Sequence, residues 1–371
     1  MIADGPGALA LALAQAEQGL AFRIGAEDQP APAPSRLPMF ETLTSGSSGQ
    51  PRRIRRKQQS WRSGFAVNAG LFGIGPGRRI AVLGRLVHSL SLYGALEGAC
   101  LGADVHLLAG LRPDRQRARL ATLAVDTLYV TPAQLRLLLE TGEEALPALR
   151  LVLVGGSKLD RALRAALAVV APEADLREFY GAAETSFVTL SDDGCPPDSV
   201  GRAYPGVALS IRSAAGVVLG EGALGQVWVQ SPYLCEGYAG DMSDQPLRDR
   251  GWMSVGEMGW IEQGMLHLAG RIGRMVTVAD QNVFPEEIEG FLAGLAGVRR
   301  VAVLPRRDAL RGQVLVAVMQ GDPAQEAAIL RAARDLLGPL KAPRVVIWRD
   351  TWPELASGKT NLTQLQAEVG L

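Results

Sequence analysis

The chain has 371 residues, 47% hydrophobic and 20% charged, with 38 Lys+Arg balanced by 38 Asp+Glu. This is an ordinary globular composition, long enough for one large domain and a small one, and the balance leaves no global field to gather nucleic acid or an anionic membrane. Polybasic and histone-like roles are excluded, so any basic site has to be local.

In chain order, the apolar stretch from Gly7 to Phe22 is interrupted by Gln15, Glu17 and Gln18 and lacks a basic lead. It reads as an amphipathic helix and not as a signal peptide. No other run is long and apolar enough to span a bilayer, and no membrane partner is expected. A Pro-rich connector from Gln29 to Pro38 should be extended. Short β-rich and helical runs then alternate: Arg79 to Leu83, His88 to Leu101, Val105 to Leu108, Thr127 to Val130, Pro132 to Glu140, Leu149 to Val154 and Leu159 to Val170. This alternation predicts an α/β fold, a doubly wound layer with a largely parallel sheet.

From about Val207 short strands with Gly turns, at Leu209 to Arg212, Gln226 to Gln230 and Met265 to Leu268, suggest an antiparallel or barrel-like subdomain. The last hundred residues or so read as a small α+β unit. It has a helix from Pro285, strands at Val301 to Leu304 and Val314 to Gln320, a helix from Ala324 to Leu337 and a strand at Val345 to Trp348. The expected division is a large domain over 1–272 and a small one over 273–371. Three scattered cysteines, Cys100, Cys195 and Cys235, support neither a disulfide framework nor a zinc knuckle and fit a reducing cytoplasm. Lysine is scarce, at 57, 158, 341 and 359 alone.

Four segments carry chemistry. Thr44-Ser45-Gly46-Ser47-Ser48-Gly49 puts two glycines and four hydroxyl residues in a row, followed by Gln50-Pro51-Arg52. Such a loop can offer backbone N–H groups and hydroxyls to phosphate oxygens, or it can be a solvated linker. It is not a GxxxxGK[ST] loop, because no Lys-Ser/Thr follows the second glycine. The basic run Arg52 to Lys57 lacks interleaved aromatics, so it reads as a solvated face or part of the phosphate site, and no nucleic acid partner is expected.

Tyr180-Gly181-Ala182-Ala183-Glu184-Thr185 combines a ring able to stack on a purine with a carboxylate able to hold a divalent cation. A core tyrosine with a surface glutamate is the commoner explanation of such a pair. Next come Trp252 to Glu257, then Gly270-Arg271, then Val283-Phe284-Pro285-Glu286-Glu287-Ile288-Glu289, in which Pro285 and the acids behind it also make a sound helix start. Last is Ser357-Gly358-Lys359, whose lysine is either exposed or aimed into a cleft.

The order of these segments resembles the adenylate-forming superfamily of acyl-CoA synthetases, peptide-synthetase adenylation domains and firefly-type luciferases, over roughly Glu41 to Leu371. The resemblance implies that a carboxylate attacks the α-phosphate of ATP, giving an acyl-adenylate and pyrophosphate, and that a thiol then displaces AMP. It implies that the loop from Thr44 to Gly49 holds the β- and γ-phosphates. Tyr180 would stack on adenine, Glu184 would ligate Mg²⁺ and Glu257 would bind the ribose hydroxyls. Arg271 would contact the ribose-phosphate region, and Gly155-Gly156-Ser157 would line the adenine and acyl pockets. Lys359 would bridge the substrate carboxylate and the α-phosphate, and Gly273 would fall on the hinge about which the small domain turns.

Several positions depart from the family pattern. Arg52 stands for the usual lysine, Ala183 for a Thr whose hydroxyl Thr185 would replace, and Glu257 for an Asp. Thr277 and Asp280 stand for a frequent Lys and Gly of the thiol tunnel. The hydroxyl/Gly loop also begins much nearer the N-terminus than is usual, so most of the first subdomain is expected to be absent. In that layout the chain resembles the compact members, among them the short hydroxycinnamate (4-coumarate):CoA ligases of photoactive yellow protein systems. His88, in a segment without the Asp of amino-acid-activating domains, is similar to the histidine beside the substrate carboxylate in acyl- and aryl-CoA ligases, or is a structural histidine. The glycines at 155, 156 and 181 are expected to leave room for a flat ring. An aryl or medium acyl carboxylic acid, ATP, Mg²⁺ and coenzyme A are therefore the expected ligands. A carrier-protein phosphopantetheine arm is the alternative acceptor, a non-catalytic nucleotide-binding homologue is a further alternative, and a homodimer covering the open sheet edge is one arrangement.

Overall fold

A computed structural model of the chain describes residues 1–44, 52–142, 144–192, 194–196, 198–240, 245–279, 281–309, 312–355 and 359–371. Among these, five strands run parallel in the spatial order Asp104–Leu107, Arg79–Val82, Thr127–Val130, Leu151–Gly155 and Asp175–Ala182. Their sequences (RIAV, TLYV, LVLVG) are runs of apolar and β-branched side chains with no alternation, as expected of strands covered on both faces. Helices supply the crossovers. Their ends follow local chemistry: Thr131 and Gln134 form a reciprocal capping box ahead of Pro132–Leu139, and the Asp160 carboxylate accepts from the Leu163 N–H at the start of Arg161–Val170.

The two faces of the sheet have separate cores. One packs aliphatic side chains such as Leu120, Leu135, Leu138, Leu163 and Leu167 against Val130, Val152 and Val154. The other is aromatic, with Trp61, Phe65, Tyr93, Phe187 and Tyr204 at its centre. Of the antiparallel or barrel-like arrangement expected from about Val207, the antiparallel one is found, as a continuation of the same sheet. Ser186–Ser191 pairs antiparallel with Asp175–Ala182, and the same sheet runs on through Ser199–Ala203, Met265–Arg271, Glu257–Glu262 and Gly225–Gln230. Local turn signals mark where a strand ends but carry no information about its neighbour, which is why the two readings were indistinguishable by sequence.

A second, four-stranded sheet carries the start of the phosphate loop. Met39–Leu43 pairs antiparallel with Arg53–Lys57, flanked by Phe22–Arg23 on one side and Gly237–Tyr238 on the other. Within the basic run Arg53, Arg55 and Lys57 keep partial exposure on one face of the strand, while Ile54 and Arg56 turn inward. Arg56 has 0% of its surface exposed. The N-terminal segment is tied to this sheet by Arg23, also fully buried, which donates to Glu41 Oε2 at 2.8 Å and to the carbonyls of Gly25, Ala26, Gln29 and Pro30.

Beyond the short turn Ile272–Arg274, the chain enters a distinct core built from Val276, Val283, Ile288, Leu292, Val303, Leu315 and Ile329. Val298–Asp308, Gly312–Gly321 and Val345–Trp348 form its sheet, covered by the helices Pro285–Ala293 and Glu326–Lys341. No helix among the described residues is long and apolar enough to cross a membrane.

Candidate active site

Because the five strands are parallel, the segments leaving their carboxyl ends share one edge of the sheet, the usual place for a ligand in this kind of layer. There the structure places His88, Gly155-Gly156-Ser157 and the turn from Tyr180 to Thr185. The phosphate-loop strand joins the same edge: Leu43 forms a bridge with His88, and Ser89 Oγ donates to the Leu43 carbonyl at 3.3 Å. Ser45, Gly46, Ser47, Ser48 and Gly49 lie outside the described residues. The ends of the loop are clasped, however, with the Thr44 N–H donating to the Arg52 carbonyl at 3.0 Å and the Arg52 N–H to Thr44 Oγ1 at 2.9 Å.

Glu184 is 8% exposed and its Oε1 accepts from the Tyr238 hydroxyl at 2.6 Å. Its backbone is held as well: the Cys235 N–H donates to the Glu184 carbonyl at 2.8 Å, and Arg56 Nη2 donates to the preceding Ala183 carbonyl at 2.7 Å. Arg56 also donates to the Tyr233 carbonyl at 2.7 Å, and its ring-like guanidinium lies over Trp61 at 5.6 Å. Burial pulls its pKa down to about 10, against the pull of nearby Cys235 and Glu184. Thr185, expected to replace a missing hydroxyl toward the nucleotide, is 1% exposed, and its Oγ1 accepts from the Ala182 N–H at 3.1 Å.

Across the cleft, Glu257 and Arg271 face each other on paired strands, Arg271 Nε donating to Glu257 Oε1 at 2.8 Å. Burial works against the Arg271 charge, but the facing carboxylate more than offsets it and leaves the guanidinium pKa raised. Tyr180 is pushed well above the ordinary phenol range by burial and then by Glu257 and Glu184, with Arg271 opposing. Lys359 comes from the C-terminal unit, its carbonyl accepting from the Leu355 N–H at 2.8 Å. Ala356, Ser357 and Gly358 are outside the described residues. Lys359 keeps solvent-exposed surface, yet protein crowds its ammonium: desolvation and Arg271 lower its pKa, while Glu257 and Glu184 oppose. The other three lysines make ordinary ion pairs, with Glu236, Glu178 and Glu287.

The structure therefore brings Tyr180, Glu184, Glu257, Arg271 and Lys359 into one electrostatic neighbourhood, although they are up to 179 positions apart in the chain. At Gly155 and Gly181, though not at Gly156, the side-chain direction is taken up by the chain's own atoms. A Cβ on Gly155 would stand 2.3 Å from the Phe179 ring, and one on Gly181 would stand 2.0 Å from the Ser186 carbonyl oxygen. Those glycines admit the chain's own atoms, and the space beside them is already filled. Gly273 has nothing within 4 Å of a built Cβ, so its lack of a side chain answers no packing need in this conformation.

No cluster of three or more His, Cys, Asp or Glu able to hold a metal occurs among the described residues. The single carboxylate of Glu184 fits Mg²⁺ nonetheless, because that ion is commonly held by one or two carboxylates together with substrate phosphates and water.

A family model described as AMP-binding enzyme matches residues 3–239, and one described as AMP-binding enzyme C-terminal domain matches residues 287–359. The chain belongs to the AMP-binding enzyme family. Its class is that of the adenylate-forming, AMP-producing ligases. An uncharacterised acyl–CoA ligase of Bacillus subtilis is 32% identical over 87% of this chain and 67% of its own length. A fatty acid–[acyl-carrier-protein] ligase of Streptomyces coeruleorubidus is 27% identical over 87% of this chain and 66% of its own. Other curated relatives are matched over as little as 60% of their length. Among solved structures, the amide bond synthetase McbA of Marinactinospora thermotolerans superposes with a TM-score of 0.79 at 25% identity, covering 89% of this chain and 69% of that one. The fold of o-succinylbenzoate coenzyme A synthetase of Bacillus subtilis, solved with ATP and magnesium, superposes with a TM-score of 0.78 at 20% identity, over 88% of this chain and 69% of that one.

Sequence reasoning missed Arg56, Tyr233 and Tyr238 in this adenylate-forming site. A signal for Arg56 was present: within the alternation of Arg53–Lys57 it shares a face with the apolar Ile54, so a strand reading would have turned both inward.

Proposed function

We propose that this adenylate-forming enzyme activates a carboxylic acid with ATP, releasing pyrophosphate, and passes the acyl group from the acyl-adenylate to the thiol of coenzyme A with release of AMP. The observation that carries the reading is the shared electrostatic neighbourhood of Tyr180, Glu184, Glu257, Arg271 and Lys359, in which Arg271 Nε donates to Glu257 Oε1 at 2.8 Å. Anionic carboxylate and anionic phosphate repel, so a cation between them is the main requirement. The Lys359 ammonium meets it, following charge as it moves from the attacking oxygen to the α-phosphate. Tyr180 offers a ring face to adenine, and Glu257 offers a carboxylate to the ribose hydroxyls once Arg271 turns from it toward phosphate. Glu184 would hold Mg²⁺, which when bound supplies neutralising charge on the phosphate oxygens.

The large domain is taken as 1–272 and the lid as 273–371, with Gly273 as the hinge about which Lys359 leaves before the thiol arrives. The absence of a carboxylate in the segment from Leu86 to Gly94 supports an acid with a neutral tail, aryl or medium acyl, with His88 beside its carboxylate.

The test is pyrophosphate release across a panel of aryl and aliphatic acids, followed by addition of coenzyme A, a phosphopantetheinylated carrier protein, or a primary amine. Acid-dependent release with thioester formed on coenzyme A supports the proposal. Acyl transfer to the carrier or the amine alone moves the acceptor, and no release with any acid would leave a nucleotide-binding homologue.

A further inference from the structure

Tyr238 lies in a two-residue strand, Gly237–Tyr238, that pairs with the strand leaving the phosphate loop, Tyr238 standing opposite Ile54. Its main chain is fixed by one side chain: the Tyr238 N–H donates to Gln245 Oε1 at 2.7 Å, and Gln245 Nε2 donates to the Tyr238 carbonyl at 3.1 Å. Gly237 is required for this clasp, because at its φ of +136° a Cβ would meet Gln245 Oε1 at 2.5 Å. The tyrosine is thus held firmly enough to orient something else.

Its hydroxyl reaches Oε1 of Glu184 at 2.6 Å, a short bond typical of a donor to an ionised carboxylate. Arg52, the residue that follows the phosphate loop, lies over the same ring with its guanidinium carbon 5.2 Å from the centroid. One side chain therefore touches both the carboxylate assigned to the cation and the cationic residue at the end of the phosphate loop. Arg56 and the Cys235 N–H hold the main chain on either side of Glu184, but neither makes a hydrogen bond to its carboxylate. A carboxylate fixed only at its main chain still rotates about its terminal torsion, and the phenol removes that freedom.

We propose that Tyr238 is a positioning residue for the cation site: by holding Oε1 of Glu184 it leaves Oε2 as the oxygen for the divalent ion, and through Arg52 it ties that carboxylate to the phosphate loop. The inference rests on the reading of Glu184 as the Mg²⁺ ligand. A tyrosine that merely fills space would serve packing alone, and its hydroxyl would not influence cation affinity.

The experiment is a Mn²⁺ titration followed by electron paramagnetic resonance, in the presence of α,β-methylene ATP, on the full chain and on Tyr238→Phe, Glu184→Gln and the double variant. Phe keeps the ring under Arg52 and removes the hydroxyl alone. Tyr238→Phe is expected to weaken Mn²⁺ binding by about tenfold, the effect of about 1.4 kcal/mol, in the range for one bond to a charged group. In the Glu184→Gln background it should cost nothing further, because the oxygen it positions has lost its charge. In turnover the KM for the metal–nucleotide complex should rise while the KM for the acid stays put. Unchanged Mn²⁺ affinity in Tyr238→Phe with weakened affinity in Glu184→Gln would overturn the role of Tyr238 and leave Glu184 as ligand. Additive losses, or a lowered melting temperature with unchanged affinity, would overturn it too, assigning the hydroxyl to packing. Unchanged affinity in Glu184→Gln would instead remove the reading of Glu184 on which the inference rests.

Discussion

Replacing Glu97 by Gln should stabilise the protein near neutral pH and flatten its pH dependence. Glu97 is fully buried in the helix Ser89–Cys100, where Asn68 Nδ2 donates to Oε1 at 2.8 Å and the Tyr129 hydroxyl donates to Oε2. Asn68 Oδ1 accepts from the Tyr204 hydroxyl at 2.6 Å, so the network joins two helices to the sheet beneath the aromatic core. Burial raises the Glu97 pKa from 4.5 to about 8, with the bonds from Tyr129 and Asn68 opposing. Tyr93, Tyr129 and Tyr204 face it, and each is itself pushed up by burial and then by Glu97, so no nearby cation offsets the shift.

Between these two pH values the folded chain keeps a proton that the unfolded chain has released. Stability contributed by this group is therefore complete below pH 4.5 and falls as pH rises to about 8, at about 1.4 kcal/mol per pH unit. The whole window is worth about 5 kcal/mol, and at pH 7 about 3 kcal/mol has already gone. Gln has the same shape, accepts from Asn68 through its oxygen and offers its amide to the Tyr129 oxygen, without the cost of holding a proton. Urea denaturation by tryptophan fluorescence from pH 5 to pH 9 should show Glu97→Gln gaining on the parent steadily with pH up to about 8. Parallel profiles for the two proteins, or a variant less stable at pH 7, would refute the placement of a neutral carboxyl in this core.

Lys359→Ala should lower acid-dependent pyrophosphate release by roughly 10²–10³, the usual effect of removing one charge-stabilising donor, while thioester formation from a supplied acyl-adenylate persists; equal loss of both steps argues against alternation. Arg56→Met strands the buried carbonyls of Ala183 and Tyr233. At roughly 1–3 kcal/mol for each orphaned acceptor, the melting temperature should fall measurably, and nucleotide binding should weaken because Glu184 loses its support. Gly273→Pro should keep adenylate formation and slow the thiol step, as rapid-quench measurements of each half-reaction would show; thiol transfer at the parent rate would place the hinge elsewhere.

Much of this enzyme was readable in one dimension. The parallel layer followed from apolar runs alternating with helical ones, and the start of one C-terminal helix followed from Pro285 and the acids behind it. The family followed from the order of motifs, since each consists of residues adjacent in the chain. Lys359 was singled out among four lysines by its place in that order. These features share a physical basis: they depend on backbone preference and spacing over a few residues, and the chain displays such spacing directly.

What the tertiary structure decided depends on residues far apart meeting in space. The glycines at 155 and 181 implied empty room until Phe179 and Ser186 were seen to occupy it. Arg56 and Tyr238 carry no motif of their own, and they join the site only because the paired strands Arg53–Lys57 and Gly237–Tyr238 both reach the turn bearing Glu184. The sequence by itself thus determined the family, the chemistry on offer and the positions of the reactive groups along the chain. Only the packed structure decided which backbone carbonyls, hydroxyls and rings hold those groups still, because that choice is made by sheet neighbours hundreds of atoms apart in covalent order.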